Sequence, residues 1–298
     1  MAAAKRKSEM SLKEVIALIT LLDDPDEVIY VQVRDRFVIL GPPAIPHLET
    51  AWENSFDAIM QKRIENIIHT IQFETLQKAL KNWAKTDQDD LLKGILILAR
   101  YQYPDLDESK IRKQLSTIKQ DVWLELHEDL TALEKVKIIN HILFEVHHFS
   151  GNITNYHAPQ NSFINNVLES KKGNPLMLSV VYLLICSELK IPVYGINLPQ
   201  HFVLAYINDD ANLIDVNNKT LSNNILFYIN PFSKGLLFNQ KDIDQFLKQL
   251  NLDQEPKYYL PCSNIDIIKR CIDNLIFSYE KLGYLDKVEE LKNLESQL

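Results

Sequence analysis

The chain is poor in the residues that make tight turns and covalent staples: its 298 residues include only 7 glycines and 3 cysteines. So few glycines leave little material for hairpins with positive φ, and point to a helix-dominated chain. The cysteines, Cys186, Cys262 and Cys271, include no Cys-x-x-Cys pair, which argues against a disulfide framework and a thiolate zinc site. Cys186 and Cys271 fall inside apolar helical patterns and read as small core residues. Positive charge is also scarce. The formal net charge is −8, and the one basic cluster is Lys5-Arg6-Lys7 near the start. Holding a nucleic acid backbone needs clustered positive charge, so no nucleic acid partner is expected. No run of about eighteen apolar residues occurs, so no membrane span is expected. The opening residues lack an apolar stretch of signal-peptide length. A cytoplasmic protein without a cofactor is the expectation.

What is present is ordered helix by helix. Val15, Ile16, Leu18, Ile19 and Leu22 form an apolar face that Asp23-Asp24-Pro25-Asp26 stops. A second helix over 27–40 ends at Gly41-Pro42-Pro43, and a third starts near Ile45-Pro46. This pair resembles one HEAT-type unit, and a single copy makes no solenoid. Further helices are expected over 66–86, 89–101, 108–117, 133–148 and 163–169. The helix over 175–189 is apolar nearly all round, the pattern of burial on most sides. Pro175 suits its first position, where a missing N–H has no intrahelical partner. Strands over 193–198, 201–207, 213–216 and 225–229 then follow in succession, which implies an antiparallel sheet and an α+β chain. Helices over 242–250, 265–282 and 285–294 close the sequence. The last two, joined at Gly283, resemble one tetratricopeptide hairpin, too short for an array.

Several segments together resemble the SirB-type family, transglutaminase-like proteins with a tetratricopeptide-like tail. They are Asn161-Ser162-Phe163, Val167-Leu168, Lys172-Gly173-Asn174-Pro175, Leu178-Ser179, Tyr182 and Ile191-Pro192-Val193. Gly195, Leu198-Pro199, His201-Phe202 and Asn230-Pro231-Phe232 continue the match. The strong part covers roughly residues 125–240. With the helical front, the expected division is a helical HEAT-like region over 1–121, a transglutaminase-like α+β core over 122–250 and a tetratricopeptide-like helical tail over 251–298. The family name links it to regulation of a sirohaem-pathway gene.

In transglutaminase-like enzymes the first residue of the core helix is a cysteine nucleophile, and a histidine on a following strand assists it. Such a thiolate needs the helix N-terminus, a histidine within reach and a carboxylate or amide that orients the ring. Here Pro175 stands at the nucleophile position, and a proline cannot attack. His201 matches the histidine. Either Asp215 or Asn230 fits the orienting member. Pro175, Ser179, Tyr182 and Cys186 share one helix face. Ser179 sits one turn deeper than the expected cysteine, where its hydroxyl can bond the carbonyl four residues back. Asn161, Asn174, Ser179, Tyr182 and His201 are the candidate groove, with Tyr156 and Asn161 fixing the loop that leads to it. Glu145, His147, His148 and His157 invite a metal reading, but adjacent histidines on a helix diverge by about 100° and the group offers no i, i+4 pair. No metal is expected. These features together describe a catalytically inactive binding or regulatory module with a protein or peptide partner. The alternative is a hydrolase or acyltransferase using Ser179 with His201.

Overall fold

A computed structural model describes residues 12–208 and 224–298. Contacts divide the chain into two compact units, one ending at Ala79 and the other beginning at Leu80. The divisions expected at 121/122 and 250/251 lie within the second unit.

The first unit contains α1 (Leu12–Thr20), α2 (Glu27–Leu40), α3 (Ile45–Asn54) and the first turns of α4 (Ala58–Thr86). Its core is Val15, Leu22, Tyr30, Val33, Phe37, Leu48, Ile64 and Ile67. Asp26 caps α2 by accepting the Val28 N–H, and Gly41 ends it at φ 72°. Arg63 ties the α1–α2 turn down by donating to the carbonyls of Leu22 (2.8 Å) and Asp24 (2.6 Å). The expected start of α4 at 66 is eight residues late. Asp57 caps the earlier turn, its carboxylate accepting from Ile59 N (2.7 Å) and Met60 N (2.8 Å).

The second unit continues with α5 (Leu91–Ala99), α6 (Glu108–Glu125), α7 (Ala132–Asn140), α8 (Ile164–Ser170) and α9 (Pro175–Glu188). The helix expected over 133–148 is interrupted. After Asn140 it widens into a π-turn over His141–Val146, closed by His147 N donating to Ile142 O at 2.9 Å. A short parallel pair, β1 (Ser150–Gly151) with β2 (Lys172–Gly173), brackets α8 and the loop before it. Two residues carry no alternation, so this pair has no sequence signal.

The main sheet has four antiparallel strands in sequential order: β3 (Val193–Leu198), β4 (His201–Ile207), β5 (Ile225–Asn230) and β6 (Leu236–Phe238). The strand expected over 213–216 lies outside the described residues. The α+β fold class stands. One sheet face, with Ile196, Leu198, Val203 and Ala205, packs on Ile243 and Leu247 of α10 (Gln240–Gln249). Helix α9 packs on β3 and β4, and also touches α6, α8 and α11 (Asn264–Leu282). That encirclement explains its nearly featureless apolar sequence. Gly283, at φ 78°, ends α11 in the left-handed region, and α12 (Leu285–Glu295) folds back along it. Among the described residues no helix is long and apolar enough to cross a membrane.

Candidate functional site

Helix α9 starts where its capping residue puts it. Asn174 Oδ1 accepts the Met177 N–H at 2.8 Å, and its Nδ2 donates to Ser162 Oγ at 2.8 Å. Pro175 takes the next position, the first of the helix. The loop before α8 is clamped by Asn161, which is only 3% exposed. Its Nδ2 donates to the carbonyls of Asn155 (2.7 Å) and Tyr156 (3.0 Å), and its Oδ1 accepts from Asn152 Nδ2 (2.8 Å). Held this way, the loop carries an aromatic ladder. The Tyr156 ring meets His157 with centroids 5.1 Å apart, and His157 meets Phe277 of α11 at 5.2 Å.

His201 opens β4, directly after the turn Pro199-Gln200. Proline fixes φ near −65° and so excludes the usual I′ and II′ hairpin turns. Gln200 instead adopts φ 58°, the left-handed region that usually falls to glycine. The His201 ring lies 6.3 Å from that of Phe246 on α10. Asn230 Nδ2 donates to His201 Nε2 at 3.2 Å. Asn230 Oδ1 is meanwhile the cap of the short turn Pro231–Ser233, accepting the Ser233 N–H at 3.3 Å. That cap orients the amide, makes Nε2 an acceptor and leaves the proton of the neutral ring on Nδ1. Phe232 packs against Gly151 and the Tyr156 ring, so Asn230-Pro231-Phe232 joins the sheet to the loop. Burial pushes the imidazole pKa below its ordinary value, and the nearby Arg270 guanidinium pushes the same way. Asp215, the other candidate for orienting His201, lies outside the described residues.

Asn174, Pro175 and His201 meet at one cavity of about 620 Å³, whose opposite wall is α11, with Arg270, Asp273 and Phe277. The other expected groove residues are not among those that line it. Asn161 is the loop clamp. Ser179 is wholly buried, and its hydroxyl donates to the Pro175 carbonyl at 2.8 Å. Tyr182 is wholly buried too, its hydroxyl donating to Asn140 Oδ1 at 3.2 Å. Cys186 and Cys271 are buried, and burial raises both thiols, Cys271 to about 12. Among the described residues Asn230 is the hydrogen-bond partner of His201, and no hydroxyl or thiol stands in that role. Sequence reasoning missed Arg270, Asp273, Asn274 and Phe277. Their i, i+3, i+4, i+7 spacing is a stripe beside the apolar face of α11, and that stripe was the available signal.

The histidines weighed as metal ligands have other neighbours. His147 pairs with Asp121 at 2.8 Å, and His157 lies in the aromatic ladder. Glu145 does have an i, i+4 partner, His141, whose Nδ1 lies 2.9 Å from Glu145 Oε2 on the π-turn, both exposed.

The sequence signature of the transglutaminase-like superfamily matches residues 109–273, more than half of the chain. The chain belongs to the transglutaminase-like superfamily. The matched region runs from α6 to Asp273, so this transglutaminase-like core takes in both Pro175 and His201 and reaches the α11 wall. A UPF0162 protein of Xylella fastidiosa (strain Temecula1) is 32% identical over 135 residues, 45% of this chain and 48% of that protein. A UPF0162 protein of Vibrio cholerae is 24% identical over 161 residues, 54% of each. F-box only protein 21 of Mus musculus is 28% identical over 111 residues, 37% of this chain and 17% of that one. The chain thus spans about half the length of the UPF0162 proteins it matches. No solved structure matches it.

Proposed function

We propose that this transglutaminase-like chain is a catalytically silent member of the SirB-type group, a binding or regulatory module that works through a protein or peptide partner. One observation carries the reading. The first residue of α9, where the resemblance places a thiol, is a proline lining the cavity that His201 also lines. A proline ring has no proton to give and no lone pair to attack with once its nitrogen is in a peptide bond. The histidine is retained with an amide partner but without a nucleophile for it to activate.

The alternative with Ser179 as nucleophile requires a hydroxyl free to meet the imidazole. That hydroxyl is buried inside α9 and bonded to a backbone carbonyl, so nothing favours it.

The test is an assay of the purified chain on simple amide substrates, with hydroxylamine as an acyl acceptor. No turnover above background is expected. Turnover that disappears in His201→Ala would falsify the silent-site reading. Partner recovery with His201→Ala alongside the native chain then asks whether the cavity or the flanking helices carry recognition.

A further inference from the structure

Arg270 and Asp273 stand one helical turn apart on α11, and both line the cavity beside His201. Residues at this spacing are ordinarily close enough to pair. Among the described residues, however, the Arg270 guanidinium has no hydrogen bond and no ion pair, and the Asp273 carboxylate has none either. Burial raises the Asp273 carboxyl while Arg270 lowers it, so the two charges sense each other along the same α11 wall without joining. The cavity therefore carries one cationic and one anionic side chain, not joined to each other, and no net formal charge. A phosphate or sulfate dianion at Arg270 would face the Asp273 carboxylate. A simple amine at Asp273 would face the guanidinium. A ligand that carries both charges meets neither penalty.

We propose, on the strength of the silent-site reading, that this cavity binds a zwitterion of amino-acid size, with its carboxylate on Arg270 and its ammonium on Asp273. The planar guanidinium fork suits a carboxylate, which it can hold by two parallel bonds. The neutral His201 ring offers a further donor at Nδ1, and Asn274 adds an uncharged amide. Phe277 and Tyr156, 47% and 41% exposed, supply an aromatic rim for an apolar side chain. A cavity of about 620 Å³ lies within the range typical of small-molecule sites.

The test is calorimetric titration of the full chain with four probes: L-phenylalanine, N-acetyl-L-phenylalanine, L-phenylalaninamide and phenyl phosphate. L-Phenylalanine is expected to bind, and each of the other three to bind at least about tenfold more weakly, the loss of one charged hydrogen bond. Arg270→Gln should weaken L-phenylalanine by about tenfold, and Arg270→Lys should restore part of that loss. Asp273→Asn should remove the preference for L-phenylalanine over its N-acetyl form. Thermal melts of the same variants establish that each is folded. The proposal is overturned if L-phenylalanine does not bind, if phenyl phosphate binds best, or if folded Arg270→Gln binds L-phenylalanine unchanged. Hydrolysis of L-phenylalaninamide by the chain would sink the silent-site reading, while tight binding of L-phenylalanine would still support the ligand. Absence of binding together with absence of turnover removes the ligand and leaves the silent site standing.

Discussion

Asn230 holds His201 by an amide donated to Nε2 at 3.2 Å, the position where a carboxylate would raise the basicity of the ring. Burial first, and Arg270 second, depress the imidazole pKa. Followed by NMR, His201 should therefore titrate below the ordinary value near 6.5. Asn230→Asp places a negative charge at Nε2 and should raise the pKa by about 1 unit or more. Arg270→Gln should raise it by less, since burial is the larger cause. The sign for stability follows. The folded ring binds fewer protons than the unfolded one between its depressed pKa and about 6.5, so stability falls as pH drops through that window. Equal His201 titration in the native chain and Asn230→Asp would contradict this account.

Pro175→Cys would put a thiol at the first position of α9, in the cavity it shares with His201. A thiol at a helix N-terminus ionises more readily, so alkylation by iodoacetamide at pH 7 should run roughly tenfold faster than for free cysteine. The native Cys186 and Cys271 should stay unmodified in the folded chain, because they are buried and their thiols are raised. Peptide mapping of the alkylated protein reads both results.

Asn161→Ala removes three hydrogen bonds from a buried clamp and leaves two loop carbonyls without their donor. The expected cost is about 2–4 kcal/mol by denaturant unfolding. Faster limited proteolysis in the loop before α8 should accompany it. Intact loop protection at native stability would show that the clamp is dispensable.

Gly235 adopts φ 74°, and a Cβ there would run into the Asn140 side chain. That side chain bridges the fold, donating to Gly235 O at 2.9 Å and accepting from the Tyr182 hydroxyl at 3.2 Å. Gly235→Ala must displace it and strain the backbone as well, for a loss of about 2–4 kcal/mol. Tyr182→Phe, which removes only one of these bonds, should cost about 1–2 kcal/mol. Equilibrium unfolding of the two variants side by side checks the order.

Local chemistry was enough to read α9, β3, β4 and the α11–α12 hairpin. Asn174-Pro175 ahead of an apolar run suits a helix start, alternation marks the strands, and Gly283 supplies the left-handed stop. The same reading placed Ser179 against the Pro175 carbonyl, because that bond is made within one turn. Contacts between distant segments were not legible in this way. The strand β6 exists through its pairing with β5, and the β1–β2 pair through a loop closed by Asn161. The groove expected from sequence reaches deeper into α9 than the cavity does, because helical spacing says which residues share a face but not which neighbour covers it. Tertiary packing gave that face to the sheet and to Asn140, and brought Arg270, Asp273 and Phe277 from about a hundred residues beyond Pro175 to wall the cavity instead. The proline at the head of α9 was fixed by sequence; which charges face it depends on how α11 docks, and docking is a sum over contacts that no single segment encodes.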